Sequence, residues 1–420
     1  MVERFYIKGG TPLKGEVCIG GAKNSVLKLM AAAILAKGES KIYNVPDLTD
    51  VEIMLSVIAQ LGAKTSYNKE EKSLTIDATD ITNITASYEL VSKMRASFIV
   101  LGALVSRCKE ARVALPGGCA IGERRVDFHI RGLESLGAKI KIENGYVHAK
   151  TNKLVGADIY LDIPSVGATE NIMLASMGAK GETVITNAAR EPEIVDLAEF
   201  LKSCGAEIYG AGQSVIRIKP CKKMHSAEHT IIPDRIVAST FMACVASAGG
   251  KASVNGICRE HLAPVIPVFE TAGCEVSVKK SELIIKSPEK LSRVKSLGTM
   301  PYPGFPTDSQ AIIMAVLTKA KGTSVISEKI FENRFRHVPE LIKMGADIRV
   351  EDGRVAVIEG VEKLCAANVI SSDLRGGCAL VVAALGAEGK TVVDEIYHID
   401  RGCEALETSL SYLGAEIKRE

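Results

Sequence analysis

The chain repeats itself, and the period limits what it can fold into. The triplet Gly-Ala-(Lys/Glu/Asp) stands at Gly62-Ala63-Lys64, Gly137-Ala138-Lys139, Gly205-Ala206-Glu207, Gly345-Ala346-Asp347 and Gly414-Ala415-Glu416, with Gly273-Cys274-Glu275 as an altered copy. The spacings are 75, 68, 68, 72 and 69 residues. A period held over the whole chain marks duplicated supersecondary units, here longer than the usual solenoid repeat. An amphipathic helix is predicted before each triplet, over 51–61, 126–136, 194–204, 262–272, 338–344 and 404–413. The glycine stops that helix, and a β-rich run follows, as at 139–142 and 275–278. Upstream lies a second helix of small apolar residues (172–177, 312–318, 380–385), and in most copies a glycine then leads into a strand, as at 181–185 and 389–393. Each unit therefore reads helix, strand, loop, helix, Gly-Ala, strand, strand.

The sixth unit ends after Lys418 without its last strand. The beginning of the chain supplies a match: Phe5-Tyr6-Ile7-Lys8-Gly9-Gly10 resembles Val355-Ala356-Val357-Ile358-Glu359-Gly360, and Leu13-Lys14-Gly15 takes the part of Leu364-Cys365-Ala366. The expectation is circular closure, with residues 1–21 completing the C-terminal unit. Three units per domain give one domain over 22–229 and a second over 1–21 plus 230–420. A length of 420 residues suits two such domains.

Composition narrows the function classes. The net charge is +2, from 52 basic and 50 acidic residues, so bulk electrostatics offers nothing to nucleic acid or an acidic membrane surface. The longest apolar run, 96–106, is too short to cross a bilayer. Eleven cysteines, an odd number without CxxC pairs, and no secretory leader at Met1 point to reduced thiols and a cytoplasmic location.

Anion binding must then come from local arrangement, and two patterns supply it. Between Leu115 and His129 three glycines and Pro116 flank a single cysteine, Cys119, and Arg124, Arg125, Asp127 and His129 follow. A thiol on a glycine hinge beside arginines is placed to meet an anionic substrate and to move a proton. The second pattern lies where each small-residue helix begins: Lys23-Asn24, Arg95, Ser165-Val166-Gly167, Asp234-Arg235, Asp308, and Asp373 with Arg375. Four of the six carry Lys or Arg, against the usual acid preference at helix starts. Cations there make sense if an anion binds where the helix dipoles already favour it; the bland alternatives are solvated terminal charges and aspartate N-caps. Arg334 and Arg401 add basic residues in late loops, Arg401 just before a helix, with an ion pair to Asp400 or Glu404 as the alternative. Cys221, His225 and His229 are spaced like metal ligands but have no evident fourth partner. Asn83-Ile84-Thr85 is a glycosylation triplet without meaning in a cytosolic chain.

Together, Gly21-Ala22-Lys23-Asn24, Met94-Arg95-Ala96-Ser97, the 115–129 loop, Ser165 to Asn171, Ala189-Arg190-Glu191-Pro192-Glu193-Ile194, Phe305-Pro306-Thr307-Asp308, Phe331-Glu332-Asn333-Arg334-Phe335 and Tyr397 to Gly402 resemble the enolpyruvyl transferases along the full chain. The resemblance implies an inside-out α/β barrel fold, two domains of three βαβαββ-type units each. It implies transfer of the enolpyruvyl group of phosphoenolpyruvate to the 3′-hydroxyl of UDP-N-acetylglucosamine through a tetrahedral intermediate, with phosphate released and with no metal or organic cofactor. That reaction is the first committed step of peptidoglycan synthesis, and so bears on cell-wall biogenesis, cell shape, division and the cell cycle. The partners implied are these two small molecules alone, with no nucleic acid and no membrane insertion.

Residue by residue, the resemblance makes Cys119 the acid, able also to capture phosphoenolpyruvate covalently. Lys23, Asn24, Arg124 and Arg401 hold that substrate. Arg95, Arg124, Arg125, Val126, Asp127, Phe128, Ser165, Val166, Gly167, Asp308 and Ile330 contact the sugar nucleotide. Asp308 is the base, with Lys23 and Arg401 also catalytic and His129, Arg334, Asp373 and Arg375 in support. The chain departs from the family pattern at Arg125, where proline is common, and at Ile163-Pro164, where some members carry a lysine. The alternatives are the sister 3-phosphoshikimate transferase, which lacks this cysteine loop, and a non-catalytic UDP-sugar-binding regulator.

Overall fold

The computed structural model describes residues 3–116, 122, 126–220 and 223–420; Cys119, Arg124, Arg125 and Cys221 lie outside them. The described residues fall into two compact units, a first formed by 21–116 with 126–220 and 223–232 and a second formed by 3–20, 122 and 233–420.

Each unit holds three four-stranded sheets of one design: a short edge strand parallel to its neighbour, then two strands added antiparallel. In the fifth copy the order is Ser296–Gly298, Thr323–Ser327, Val355–Glu359, Asp347–Glu351. Closure within each unit comes from strands distant in sequence. In the first unit Glu228–Thr230 is the parallel edge beside Glu39–Tyr43. In the second, Leu13–Cys18 takes that place beside Gly250–Asn255. Phe5–Lys8 inserts between Lys390–Asp394 and Glu416–Arg419, antiparallel to both, where the fifth copy has Val355–Glu359.

The Gly-Ala repeat marks the C-terminal stop of each amphipathic helix. All six glycines are left-handed, with φ between 89° and 105°, a region that costs other residues steric strain. At Gly137 the amide donates to Glu134 O (2.8 Å) and the Ala138 amide to Leu133 O (3.0 Å), which satisfies two orphaned carbonyls. The residue after each glycine is buried, so it must be small and apolar. Two of these helices are shorter than their periodicity predicts. The 262–272 segment is a 3-10 turn at Glu260–Leu262 and a helix only over Ile266–Thr271, because Pro264 and Pro267 cannot donate to a continuous ladder. The 404–413 segment starts at Leu406, since Ala405 is left-handed (φ 41°).

The small-residue helices form the interior of each unit. Leu374–Leu385 is buried from Arg375 to its end, and Thr307–Leu317 is buried from Ser309 onward. A helix that is apolar all round must lie inside, and the sheets outside it alternate buried and exposed residues, as in Val215–Lys219. The helices Arg235–Ala248, Thr307–Leu317 and Leu374–Leu385 pack on one another. In the first unit Gly102 allows an equally close approach: a Cβ there would stand 2.3 Å from the backbone of Asn171. None of the described helices is long and apolar enough to cross a membrane.

Phe5, fully buried between two strands, tests the closure. Phe5→Ala should destabilise the second unit by about 3–5 kcal/mol, seen as a lower urea midpoint for its transition. A loss under about 1 kcal/mol would mean that the N-terminal strand is dispensable.

Candidate active site

The charged residues predicted at the helix starts sit where apolar helices emerge from the core. In the first unit Lys23 is the first residue of Lys23–Ala33, whose N-cap Ala22 offers no side-chain bond. Its Nζ lies 2.6 Å from Oδ2 of Asp50, in the first turn of the neighbouring helix Thr49–Gln60, and both side chains are nearly buried. One turn further along, Lys28 Nζ meets Glu170 Oε2 at 3.0 Å and donates to the carbonyl of Asn24 at 3.3 Å. Burial raises the Glu170 carboxyl to about 7, against the pull of Lys28. Ser165 is the N-cap of Val166–Ser176, accepting from the Ala168 amide.

Asn171 joins this helix to two earlier ones, Val100–Cys108 and Asp127–Ser135. Its Oδ1 accepts from the Gly102 amide at 2.6 Å, so its Nδ2 faces the His129 ring and donates to Nδ1 at 2.9 Å. The ring proton is therefore on Nε2. The His129 ring meets Phe98 edge-on and closes against Gly167. Burial, then the charges of Arg95 and Lys28, push its pKa down to about 3. Asp127 opens the Asp127–Ser135 helix just after Val126, and Arg131 spreads over the ring of Phe128. Within this unit the structure thus gathers Arg95, His129, Asn171, Lys28 and Glu170.

The second unit gathers a different set. Asp308, the second residue of Thr307–Leu317, is held by two guanidiniums: Arg334 Nη2 at 2.5 Å from Oδ1 and Arg375 Nη2 at 3.0 Å from Oδ2. Arg334 also donates to the carbonyl of Thr307 from Nε and Nη2 (3.3 and 3.2 Å). Burial works against the charge on Arg375, but Asp308 and Asp234 outweigh it and hold its pKa above the usual range. Asp234 and Asp373 are both N-caps, each Oδ1 accepting two backbone amides. The Ile330 amide donates to Glu328 at 2.8 Å.

One expectation needs correction. Arg401 does not stand immediately before a helix; it is the C-terminal cap of the single turn Tyr397–Asp400, and the next helix begins only at Leu406, after left-handed Ala405. Asp400 pairs with Arg419 at 2.6 Å. His229 bonds Asp196 Oδ1 at 2.7 Å, while Ser25 donates to Oδ2, and His225 turns to its neighbour's carbonyl. Among the described residues no three His, Cys, Asp or Glu side chains gather as metal ligands. Asp50, Lys28, Asp196 and Glu328 carry buried polar bonds that the sequence reading did not single out, and Glu170 and Asn171 were quoted only as part of a motif. For Lys28 and Glu170 a signal existed, a charge within an otherwise apolar helix.

The pH dependence of His129 is testable. Unfolded, the ring binds a proton below about 6.5; folded, only below about 3. The unfolded state therefore holds more protons between these values, and stability falls as pH drops through that window. Glu170 acts oppositely, its contribution being lost as pH rises from about 4.5 to about 7, so the comparison must be between proteins. His129→Gln keeps an acceptor for Asn171 and does not titrate; it should lose less stability than the parent between pH 7 and pH 4.5 in urea unfolding. An equal loss would exclude His129 as the source.

The comparisons with known proteins bear on the family and the fold. The family model described as EPSP synthase (3-phosphoshikimate 1-carboxyvinyltransferase) matches residues 7–410. The chain is 49% identical to UDP-N-acetylglucosamine 1-carboxyvinyltransferase 1 of Caldanaerobacter subterraneus subsp. tengcongensis, covering 100% of both chains. It is 50% identical to UDP-N-acetylglucosamine 1-carboxyvinyltransferase 2 of Carboxydothermus hydrogenoformans, covering 100% of this chain and 99% of that one. Among solved structures, the enolpyruvyl transferase NikO from Streptomyces tendae superposes with a TM-score of 0.90 at 26% identity, covering 100% of this chain and 99% of the other. EPSP synthase from Acinetobacter baumannii gives 0.76 at 16% identity with full coverage of both, a likeness of fold. A full-length match of both sequence and fold places the chain in the enolpyruvyl transferase (EPSP synthase) family.

Proposed function

We propose that this enzyme transfers the enolpyruvyl group of phosphoenolpyruvate to the 3′-hydroxyl of UDP-N-acetylglucosamine. The observation that carries the reading is Asp308, a half-buried carboxylate fixed at a helix start by Arg334 and Arg375. Addition to the enol requires a base at the acceptor hydroxyl and an acid at the methylene carbon. Asp308 is the group offered as base, oriented by its two guanidiniums. Cys119 is the acid. The carbon–oxygen bond forms as the methylene becomes methyl; loss of phosphate and of one methyl proton then leaves the enolpyruvyl ether.

Lys23, Asn24, Arg124 and Arg401 would offset the phosphate and carboxylate of phosphoenolpyruvate. Arg95, Arg125, Val126, Asp127, Phe128, Ser165, Val166, Gly167 and Ile330 would contact the sugar nucleotide, with Arg124 and Asp308 shared. Relatives at 47–50% identity that bear the name UDP-N-acetylglucosamine 1-carboxyvinyltransferase favour this acceptor over shikimate 3-phosphate. The product would enter peptidoglycan synthesis in the cytoplasm, and through it cell shape and division.

Phosphate release with phosphoenolpyruvate and either UDP-N-acetylglucosamine or shikimate 3-phosphate tests the reading. Turnover with the sugar nucleotide alone is expected; turnover with shikimate 3-phosphate, or with neither, would overturn it. Asp308→Asn should lower kcat about 10²-fold or more with KM changed only a few-fold. Its melting point should also fall, because two buried guanidiniums lose their counter-charge. An unchanged kcat would remove Asp308 from the role of base.

A further inference from the structure

One buried carboxylate near the candidate base has no part in the chemistry above. Glu328 is 1% exposed and follows the central strand Thr323–Ser327. Its Oε1 accepts from the Thr299 hydroxyl (2.9 Å) and from the amides of Ile330 (2.8 Å) and Phe331 (3.1 Å). Its Oε2 accepts from the Thr307 hydroxyl at 2.9 Å. A carboxylate taken out of water is costly unless its lone pairs are filled, and here neutral donors fill them.

These bonds join three separate segments. Thr299 follows the edge strand Ser296–Gly298, and its hydroxyl also accepts the Lys329 amide at 2.9 Å. Ile330 and Phe331 begin the loop that carries Arg334. Thr307 is the first residue of the helix on which Asp308 is second, and that helix has no side-chain N-cap, its N-cap position being Pro306. Thr307 is held from both ends, by Glu328 at its hydroxyl and by Arg334 at its carbonyl. The Glu328 carboxylate thus sets the helix start that carries Asp308 against the loop that carries Ile330 and Arg334.

We infer that Glu328 is a positioning residue for the transfer reaction: acting through Thr307 and the Ile330–Phe331 amides, it fixes Asp308 against the acceptor hydroxyl. The inference rests on the reading of Asp308 as base. A site held to a fraction of an ångström loses rate when its support loosens, while ground-state binding, spread over many contacts, changes little.

The experiment removes one bond at a time and reads kcat and KM separately. Thr307→Val keeps the branched shape and deletes the hydroxyl; Thr307→Ser keeps the hydroxyl; Glu328→Gln keeps the shape of the acid but replaces one acceptor oxygen by a donor. Thr307→Val should lower kcat between about tenfold and a hundredfold with KM for both substrates within about threefold. Thr307→Ser should restore kcat to within about threefold of the parent. Glu328→Gln combined with Thr307→Val should be little worse than the worse single variant, because both cut one link. If Thr307→Val is stable and its kcat is unchanged, if only KM moves, or if Thr307→Ser fails to rescue, the positioning role is overturned while the function stands. A parent enzyme that releases no phosphate from phosphoenolpyruvate and UDP-N-acetylglucosamine overturns the functional reading and, with it, this inference.

Discussion

Asp308 accepts Arg334 at 2.5 Å and Arg375 at 3.0 Å, and its second unit is built so that these three side chains can meet. Asp308 comes from one helix start, Arg375 from the helix start of the next copy, and Arg334 from the loop between them. Each of those helices is apolar beyond its first turn, so the polar groups have only that turn in which to stand. Both guanidiniums are nearly buried. Removing the carboxylate would leave two charges without their partner in a poorly solvated place, a loss of several kcal/mol in comparable cases. The same desolvation that makes the cluster costly to break makes it effective on an anion or a developing charge.

The first unit solves the same problem with other residues. Lys28 and Glu170 pair across two helices, Asn171 locks His129 in a neutral tautomer, and Asp196 takes Ser25 on one oxygen and His229 on the other. The Asp196 arrangement is also a clasp. Ser25 lies on the helix of the first copy, Asp196 on Pro192–Ser203 of the third, and His229 on the strand that closes the first sheet. One carboxylate therefore ties the beginning of the unit to its end. Because the acid stands between the serine and the histidine, the trio cannot activate the hydroxyl as a nucleophile, which needs the histidine in the middle.

Duplication explains how two such different clusters share one frame. The Gly-Ala stop, the buried small-residue helix and the four-stranded sheet recur because each copy must bury the same faces. The first turn of each inner helix need not be apolar, and there the copies diverge: Lys23, Arg95, Ser165, Asp234, Asp308 and Arg375 stand at helix starts with unlike chemistry. Ser165, Asp234 and Asp373 satisfy their helix ends directly, whereas the helices at Lys23 and Thr307 lack a side-chain cap and put their charged residues to other use.

The period of the Gly-Ala triplet, with glycine for the left-handed stop and a small buried residue after it, determined the six-fold repeat, the order of elements and the match of Phe5–Lys8 to Val355–Glu359. These are local demands of backbone geometry and burial, and a sequence carries them in its spacing. The helix starts bearing Lys23, Arg95, Asp308 and Arg375 were legible for the same reason, since each precedes an apolar run. What the sequence left open was which charge meets which. Arg334 and Arg375 converging on Asp308, Lys28 reaching Glu170, and Glu328 joining Thr299, Thr307 and Ile330 are contacts between segments far apart along the chain. No spacing rule encodes them, because buried side chains find partners by position in space. Arg401 shows the converse: its sequence context placed it just before a helix, whereas it ends the turn Tyr397–Asp400 and the next helix waits until Leu406, after left-handed Ala405.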